Sequence, residues 1–503
     1  MNPPIPTNAI PFDNSYARDL QGFYEPCRPA PARAPDLLFF NRGLAEELGL
    51  SLADHDPTSL AAMFSGNALP EGAQPIAQAY AGHQFGQFNP QLGDGRALLI
   101  GEVVDRHGRR RDIAFKGSGR TPFSRNGDGK AAVGPMLREV LVGEAMHALG
   151  IPSTRALAVV ATGESVYRER PLPGAVLTRV AASHLRVGTF QFFAAHAGPE
   201  QVRQLADYAI ARHYPELLGT EDRYLGFLRA VAERQAALVA QWMQVGFIHG
   251  VMNTDNMGIP GETIDYGPCA FMEAYDPRAV FSSIDERGRY AYEEQPRIAR
   301  WNLARLAETL LPLIAGNEGH AISLATEVID AFVARYQHHW LIGLRAKLGL
   351  RGQVNNGDSA DTALGESWLD LLHAQQVDFT LAWRRLADAA DGNEAPLRAL
   401  FTGQPGLDRW LERWRARCAA EDTGHDAAAT RAEAMRQVNP WLIPRNHRVE
   451  EALAAATDEG DLAPFEQLLN ALQRPFVEDP ALARYAEPAP GAFMASFQTF
   501  CGT

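Results

Sequence analysis

From about residue 96 the apolar pattern takes on the character of strands. Leu98-Leu99-Ile100-Gly101-Glu102-Val103-Val104 reads as one strand, residues 106–110 as a polar turn, and Asp112-Ile113-Ala114-Phe115-Lys116 as the returning arm of a hairpin closed by Lys116. Pro135 suits the first turn of a helix that runs to Leu149, where Gly150 and Pro152 stop it. Further strands are expected over residues 156–162, 165–169 and 175–180. Beyond residue 185 the pattern turns helical: Leu228, Val231, Leu238, Trp242 and Val245 recur at three-, four- and seven-residue steps.

These patterns predict an α+β chain in which a strand-rich lobe, residues 76–182, precedes a larger helical one, residues 183–503. Residues 1–75 are Pro-rich and read as an irregular arm wrapped on the core, with a short helix at 44–50. The polar stretches 355–361 and 421–430 read as surface loops between helices, and the chain after about residue 290 as a brace for the large lobe. No internal repeat or low-complexity tract is evident.

Composition narrows the classes of function. With 503 residues and 46% hydrophobic content the chain can bury a large core, and a net charge of -13 argues against a general nucleic-acid binder. The amino terminus lacks a basic region followed by an apolar core, and no run of 18 apolar residues occurs, so secretion and membrane insertion are not expected and a cytoplasmic monomer is. Cys27, Cys269, Cys418 and Cys501 lie far apart without C-x-x-C spacing, which excludes a zinc site of the usual local pattern.

The chemistry concentrates in a few motifs. His249-Gly250-Val251-Met252-Asn253-Thr254-Asp255-Asn256 and, nine residues on, Asp265-Tyr266-Gly267 look like the metal-holding half of a protein-kinase site, with Val251 where a kinase carries its base. Residues 257–259 and 262–265 read as a tight hairpin that returns Asp265 toward Asn256, so that two oxygen ligands face one point, enough for Mg²⁺ beside a nucleotide. Lys116 at a strand end and a carboxylate on the following helix form a second kinase device for aiming an ammonium at phosphates. Spacing alone leaves Glu139 and Glu144 both open as that carboxylate.

Anion-binding candidates surround these groups. Gly93-Asp94-Gly95-Arg96 precedes the first strand, and the segment from Gly117 to Lys130 combines four glycines with the cationic Arg120, Arg125 and Lys130. Arg179 and Arg186, taken as lying beyond the last strand of the small lobe, add guanidinium forks.

Together with Asn89-Pro90-Gln91-Leu92, Asn126-Gly127-Asp128-Gly129, Pro268 after the Asp265 motif, Asn439-Pro440 and Ile443-Pro444-Arg445-Asn446-His447, these strings closely resemble selenoprotein O, called YdiU in bacteria, along nearly the whole chain. The resemblance implies a protein-kinase-like bilobal fold with a small N-lobe, a large helical C-lobe, an N-terminal arm and a helical C-terminal extension. It implies transfer of AMP from ATP, bound inverted relative to kinases, to Ser, Thr or Tyr hydroxyls of proteins, with release of pyrophosphate and dependence on Mg²⁺ or Mn²⁺.

Residue by residue, the resemblance carries nucleotide binding to Gly93, Gly95, Arg96, Lys116, Asp128, Gly129, Arg179, Arg186 and Asp265. Metal ligation falls to Asn256 and Asp265, proton acceptance to Asp255, and the ion pair with Lys116 to Glu139. Relatives often carry a redox-active Cys or selenocysteine near the carboxyl terminus, so a Cys269–Cys501 disulfide is a further expectation, weakened by the lack of a second Cys beside Cys501. The competing readings are uridylyl transfer from UTP at the same site, γ-phosphoryl transfer, and a non-catalytic nucleotide-binding scaffold. The first two keep the metal pair, but a kinase also needs the Asp that Val251 replaces.

Overall fold

The computed structural model describes residues 9–351, 359–422 and 427–500. Helices α1 (Ser15–Asp19), α2 (Arg42–Glu47) and α3 (Pro57–Phe64) and strands β1 (Tyr24–Pro26) and β2 (Asp36–Phe40) occupy the first part of the chain. Strands β3 (Ile76–Gln78), β4 (Gly82–Gln84), β5 (Gln87–Asn89), β6 (Ala97–Val104), β7 (Arg110–Lys116) and β8 (Ala131–Ala132) follow. After helix α4 (Val133–Ala148) come β9 (Arg155–Tyr167) and β10 (Pro171–Ala181).

The main sheet is antiparallel, in the order β1-β3-β6-β7-β10-β9-β2, with β8 paired to β10. The expected hairpin is β6–β7, with Ala97 opposite Lys116. The first 75 residues depart from the expected irregular arm: β1 and β2 form the two edges of this sheet. Short runs such as Asp36–Phe40 escape a periodicity argument because an edge strand is fixed by its neighbour's open backbone groups rather than by its own pattern.

The two strands expected at 156–162 and 165–169 are a correction of the same kind. They are one strand, β9, bulged where Ala161 faces Ala175 and Ser165 already faces Pro173. Gly163, at φ +70, supplies the backbone turn that makes the bulge look like a break in the sequence.

Helices dominate thereafter: α5 (Val187–His196), α6 (Pro199–His213), α7 (Arg223–Val245), α8 (Gln295–Ile314) and α9 (Glu318–Lys347), then helices including Ser359–Gln375, Phe379–Ala390, Gln404–Ala419, Asn446–Ala454 and Ala463–Leu472. The apolar face read from Leu228, Val231, Leu238 and Trp242 is buried on α7, which packs on α8 and α9. Gly246 ends α7 in the left-handed conformation at φ +71, where a Cβ would be strained, and so turns the chain into β11 (Phe247–Ile248), which pairs with β12 (Ala270–Phe271).

Two expected loops need correction. Residues 423–426 and most of 355–361 lie outside the described residues, but helix resumes at Ser359 and at Ala427, inside the spans read as loops. Asp361, in the first turn of the helix that starts at Ser359, is buried and accepts from Arg417 Nε at 2.6 Å.

The C-terminal helices do more than brace the helical part. Trp441, Val449, Phe465 and Leu468 share an apolar cluster with Val133, Met136, Leu137 and Val140 of α4. Each fully buried aliphatic side chain of this kind contributes about 1.5–3 kcal/mol, so the distal chain fixes the helix that carries Glu139 against the sheet.

Candidate active site

Lys116 ends β7, a strand flanked by β6 and β10, so its ammonium is held away from water; only 6% of the residue is exposed. It donates to the Glu139 carboxylate on α4 and to Asp265 Oδ1 at 2.6 Å. Arg179 Nη2 reaches the same two carboxylates, at 2.6 Å from Glu139 Oε2 and 2.6 Å from Asp265 Oδ1. Arg179 lies within β10, not beyond it, and its register opposite Ala114 points it alongside Lys116's strand.

The choice between the two glutamates is settled by geometry. Glu144 accepts from Arg155 Nε and Nη2 at 2.6 Å each and from Asn41 Nδ2 at 3.1 Å, on the side of α4 facing β9 and the first helices. Glu139 faces the cavity instead.

The electrostatics follow from this packing. Burial pushes the Asp265 carboxyl up, but Arg179, Lys116 and Arg186 together hold it well below the usual carboxylate range. Glu139 is likewise lowered against the effect of burial, by Arg179 and Lys116. Both remain charged, because buried ions are tolerated when each has an opposite partner.

The metal half is organised by His249. Its Nε2–H donates to Ile264 O at 2.9 Å while Nδ1 accepts from Val251 N–H at 3.4 Å, so one buried imidazole ties the 249–256 loop to the residue before Asp265. This corrects the expected hairpin over 257–265. Val187 N–H and Ile259 N–H exchange bonds with Met257 O and Leu185 O, while Thr263 bonds Pro152 and Thr154; the two arms pair with other segments instead of each other. Asp265 itself sits at φ +66, in the left-handed region, which Asp tolerates better than most residues.

Asn256 Nδ2 donates to Val251 O at 3.0 Å, which turns its carbonyl oxygen the other way. Asn256 and Asp265 line one cavity, and their oxygens suit a hard divalent cation completed by phosphate and water. Among the described residues no group of three or more His, Cys, Asp or Glu side chains is placed to hold a metal alone.

Asp255 is 9% exposed, and burial, opposed mainly by Arg186, pushes its carboxyl up to about 6. Oδ1 has no hydrogen-bond partner, and Oδ2 accepts only from Gln84 Nε2 at 3.4 Å. The β4–β5 hairpin, unnoticed in the sequence, is laid residue by residue along this loop. His83 N–H donates to Thr254 Oγ1 at 2.7 Å, Gln84 reaches Asp255, and Phe85 N–H donates to Asn253 Oδ1 at 3.0 Å. Gly82 is required there, since a Cβ would lie 2.5 Å from Asp255 Oδ1. Arg186 closes the other side, donating to Asp255 O at 3.0 Å with its guanidinium 4.4 Å from the Tyr80 ring centre.

Lys116, Glu139, Arg179, Arg186, Asp255, Asn256 and Asp265 line one cavity of about 530 Å³, within the range of small-molecule sites. Gly93, Gly95, Arg96, Asp128 and Gly129 line it too, as do Arg125 and Lys130, whereas Arg120 does not. Arg96 Nη1 is buried without a partner. In the glycine-rich loop Lys130 pairs with Glu164, and Asp128 accepts a forked bond at 2.9 and 3.1 Å from Arg168, which lies outside the loop. Arg168 was not apparent from sequence because it enters from the β9–β10 turn. Gly129, at φ +67, passes so close to the facing chain that a Cβ would lie 2.1 Å from Gly119 O.

Cys269 is buried, its thiol pushed up to about 11 by that burial and donating to Tyr266 O at 3.3 Å. Cys501 lies outside the described residues, but the chain just before it is docked beside Cys269. Thr499 Oγ1 donates to Pro268 O at 2.6 Å.

The family model described as protein adenylyltransferase SelO matches residues 6–473. A protein of Cereibacter sphaeroides named protein nucleotidyltransferase YdiU is 62% identical over 497 residues, covering 98% of this chain and 99% of the relative. Proteins of the same name from Chromobacterium violaceum and a Bradyrhizobium species are 60% and 58% identical over 481 and 495 residues, covering 95% and 98% of this chain and 99% of each relative.

Proposed function

The chain belongs to the protein adenylyltransferase SelO family and is a nucleotidyltransferase, and from that membership we propose that it moves AMP from ATP onto Ser, Thr or Tyr hydroxyls of proteins. The observation that carries this reading is the composition of a single cavity. It joins Lys116, Arg179 and Arg186 to Asp255, a buried carboxylate with an unbonded oxygen, while Val251 occupies the place of a kinase base. We take the cavity as the cleft of a kinase-like bilobal fold, with ATP lying inverted so that its β- and γ-phosphates meet the cations.

The acceptor hydroxyl gives its proton to Asp255 as its oxygen bonds the α-phosphorus. The bond from that phosphorus to the bridging oxygen breaks, and pyrophosphate leaves. Charge grows on the leaving group, and Lys116, Arg179 and Arg186, already fixed by Glu139 and Asp265, stabilise it without reorganising. Arg96, with a buried unpaired Nη1, is a further phosphate donor, and Gly93, Gly95 and Gly129 let backbone approach the nucleotide. Asp128 positions the glycine-rich loop through Arg168 and the Lys130 N–H. Asn256 and Asp265 would hold Mg²⁺ or Mn²⁺, which would neutralise phosphate charge when bound.

We take the enzyme to act in the cytoplasm as a monomer. No described helix is long and apolar enough to cross a membrane. The test is incubation with Mg²⁺ or Mn²⁺, a mixed protein substrate and ATP labelled at either the α- or the γ-phosphate. Protein label from the α position alone is expected. Label from the γ position alone means phosphoryl transfer, and label from neither means a scaffold; α-labelled UTP tests uridylyl transfer in the same assay.

A further inference from the structure

One side of the cavity is not built for phosphate. Phe85, 36% exposed, and Ile284, 50% exposed, line it together with Gln84 and Asp255. Large apolar side chains left in water at a cleft mouth mark surfaces made to be covered. Neither residue is there by slack in the chain.

Phe85 holds φ +50, a strained conformation for an aromatic residue. Its N–H is fixed by Asn253 Oδ1 at 3.0 Å and by the Tyr290 hydroxyl at 3.2 Å, and its ring lies 5.1 Å from that of Tyr290. Strain that persists because buried partners over-determine it is characteristic of ligand-handling positions. Ile284 is anchored from two directions. The adjacent Ser283 N–H donates to Thr499 O at 2.9 Å, and the adjacent Asp285 carboxylate accepts the N–H groups of Arg289 and Tyr290 at 2.9 and 2.8 Å. Asp285 and Tyr290 thereby join both residues to Asn253 of the 249–256 loop, whose Oδ1 also accepts from the Tyr290 hydroxyl at 2.6 Å.

We propose that Phe85 and Ile284 form an apolar lip that selects the acceptor protein, gripping an apolar side chain next to the hydroxyl that receives AMP. This rests on the adenylyl-transfer reading above. The cavity divides by chemistry: Lys116, Arg179 and Arg186 suit the anionic nucleotide, while the lip adjoins Gln84 and through it Asp255, where the acceptor hydroxyl must deliver its proton. In an extended acceptor segment the side chains two residues from the reacting one share its face, about 7 Å along the chain.

The test uses the full chain with α-labelled ATP and two synthetic peptides that carry a single Thr, with Leu two residues away on both sides in one and Asp at the same places in the other. The wild-type protein is expected to favour the Leu peptide by about tenfold in kcat/KM, the worth of burying part of one aliphatic side chain. Phe85→Asn, which keeps tolerance for the left-handed backbone, and Ile284→Ser, on a separate segment, are each expected to bring that ratio close to unity with KM for ATP unchanged. Equal use of the two peptides by the wild-type protein, a preference that survives both variants, or a rise in KM for ATP from a base stacked on Phe85 overturns the lip. If the wild-type protein transfers α-label to no acceptor, itself included, adenylyl transfer fails and the lip with it.

Discussion

Lys116 and Asp265, 149 positions apart in the chain, meet at 2.6 Å between Nζ and Oδ1, and Arg179 Nη2 reaches the same oxygen at 2.6 Å. One carboxylate at a left-handed backbone position thus organises two cations from neighbouring strands, with Glu139 as the second anion between them. The cluster is preassembled before any nucleotide arrives.

Replacing Asp265 with Asn removes both the anchor for these cations and the charge proposed to bind the metal. Transfer of α-label is expected to fall by about 10²–10³, and the residual rate to lose its response to added Mg²⁺ or Mn²⁺. In the wild-type protein, EDTA is expected to abolish labelling and the divalent ion to restore it.

Glu139 and Glu144 lie on the same helix and should separate function from stability. Glu139→Gln is expected to weaken ATP binding, measured by calorimetry, because Lys116 and Arg179 lose the carboxylate that aims them. Glu144→Gln leaves Arg155 half-paired and is expected to cost about 3 kcal/mol of unfolding free energy in urea titration, with KM for ATP near the wild-type value. The opposite assignment of the two effects would contradict the observed pairing.

Asp255→Asn keeps the shape of a residue whose Oδ1 meets no donor but cannot take a proton. A loss of about 10²–10⁴ in kcat, with ATP affinity retained, is expected from single-turnover labelling. A variant that stays within threefold of wild type would remove Asp255 from the chemistry.

Lys347, at the end of α9, is buried, with no carboxylate paired to it among the described residues; Trp383 and Phe379 rings stand 4.9 and 5.8 Å from its Nζ. Burial pushes its ammonium down to about 7, while the unfolded chain keeps the ordinary value of about 10.4. Between those values the unfolded state binds the extra proton, so this group makes stability rise with pH from about 7 to 10.4 and is most destabilising below that window. Lys347→Met is expected to raise the unfolding free energy from urea titration at pH 7 by on the order of 1 kcal/mol or more after losing the ring contacts, and to flatten the rise toward pH 9.5.

The β6–β7 hairpin, the helix after the glycine-rich loop and the long helix before His249 were legible because each is set by its own residues: a paired apolar run, a proline start, a three-to-four spacing. That Lys116, Asn256, Asp265 and the glycines gather at one cavity was legible for a related reason, since they sit in short strings whose spacing carries the signal. The β4–β5 hairpin was not. Its strands are three residues each, and what makes them a unit is Thr254, Asp255 and Asn253, some 170 positions away. Arg168 escaped notice likewise, as a turn residue whose meaning is its fork on Asp128.

The sequence by itself determined that a strand lysine, a helix carboxylate and an Asn/Asp pair would be present, and that the base position of a kinase was filled by Val251. Tertiary structure decided which carboxylate meets Lys116, that β1 and β2 close the sheet's edges, and that the arms around Asp265 pair with residues 152–154 and 185–187 rather than with each other. The reason is that a local pattern fixes only which face of an element is apolar. Which buried charge finds which partner depends on whole elements packing, and a buried ion tolerates no arrangement that leaves it alone.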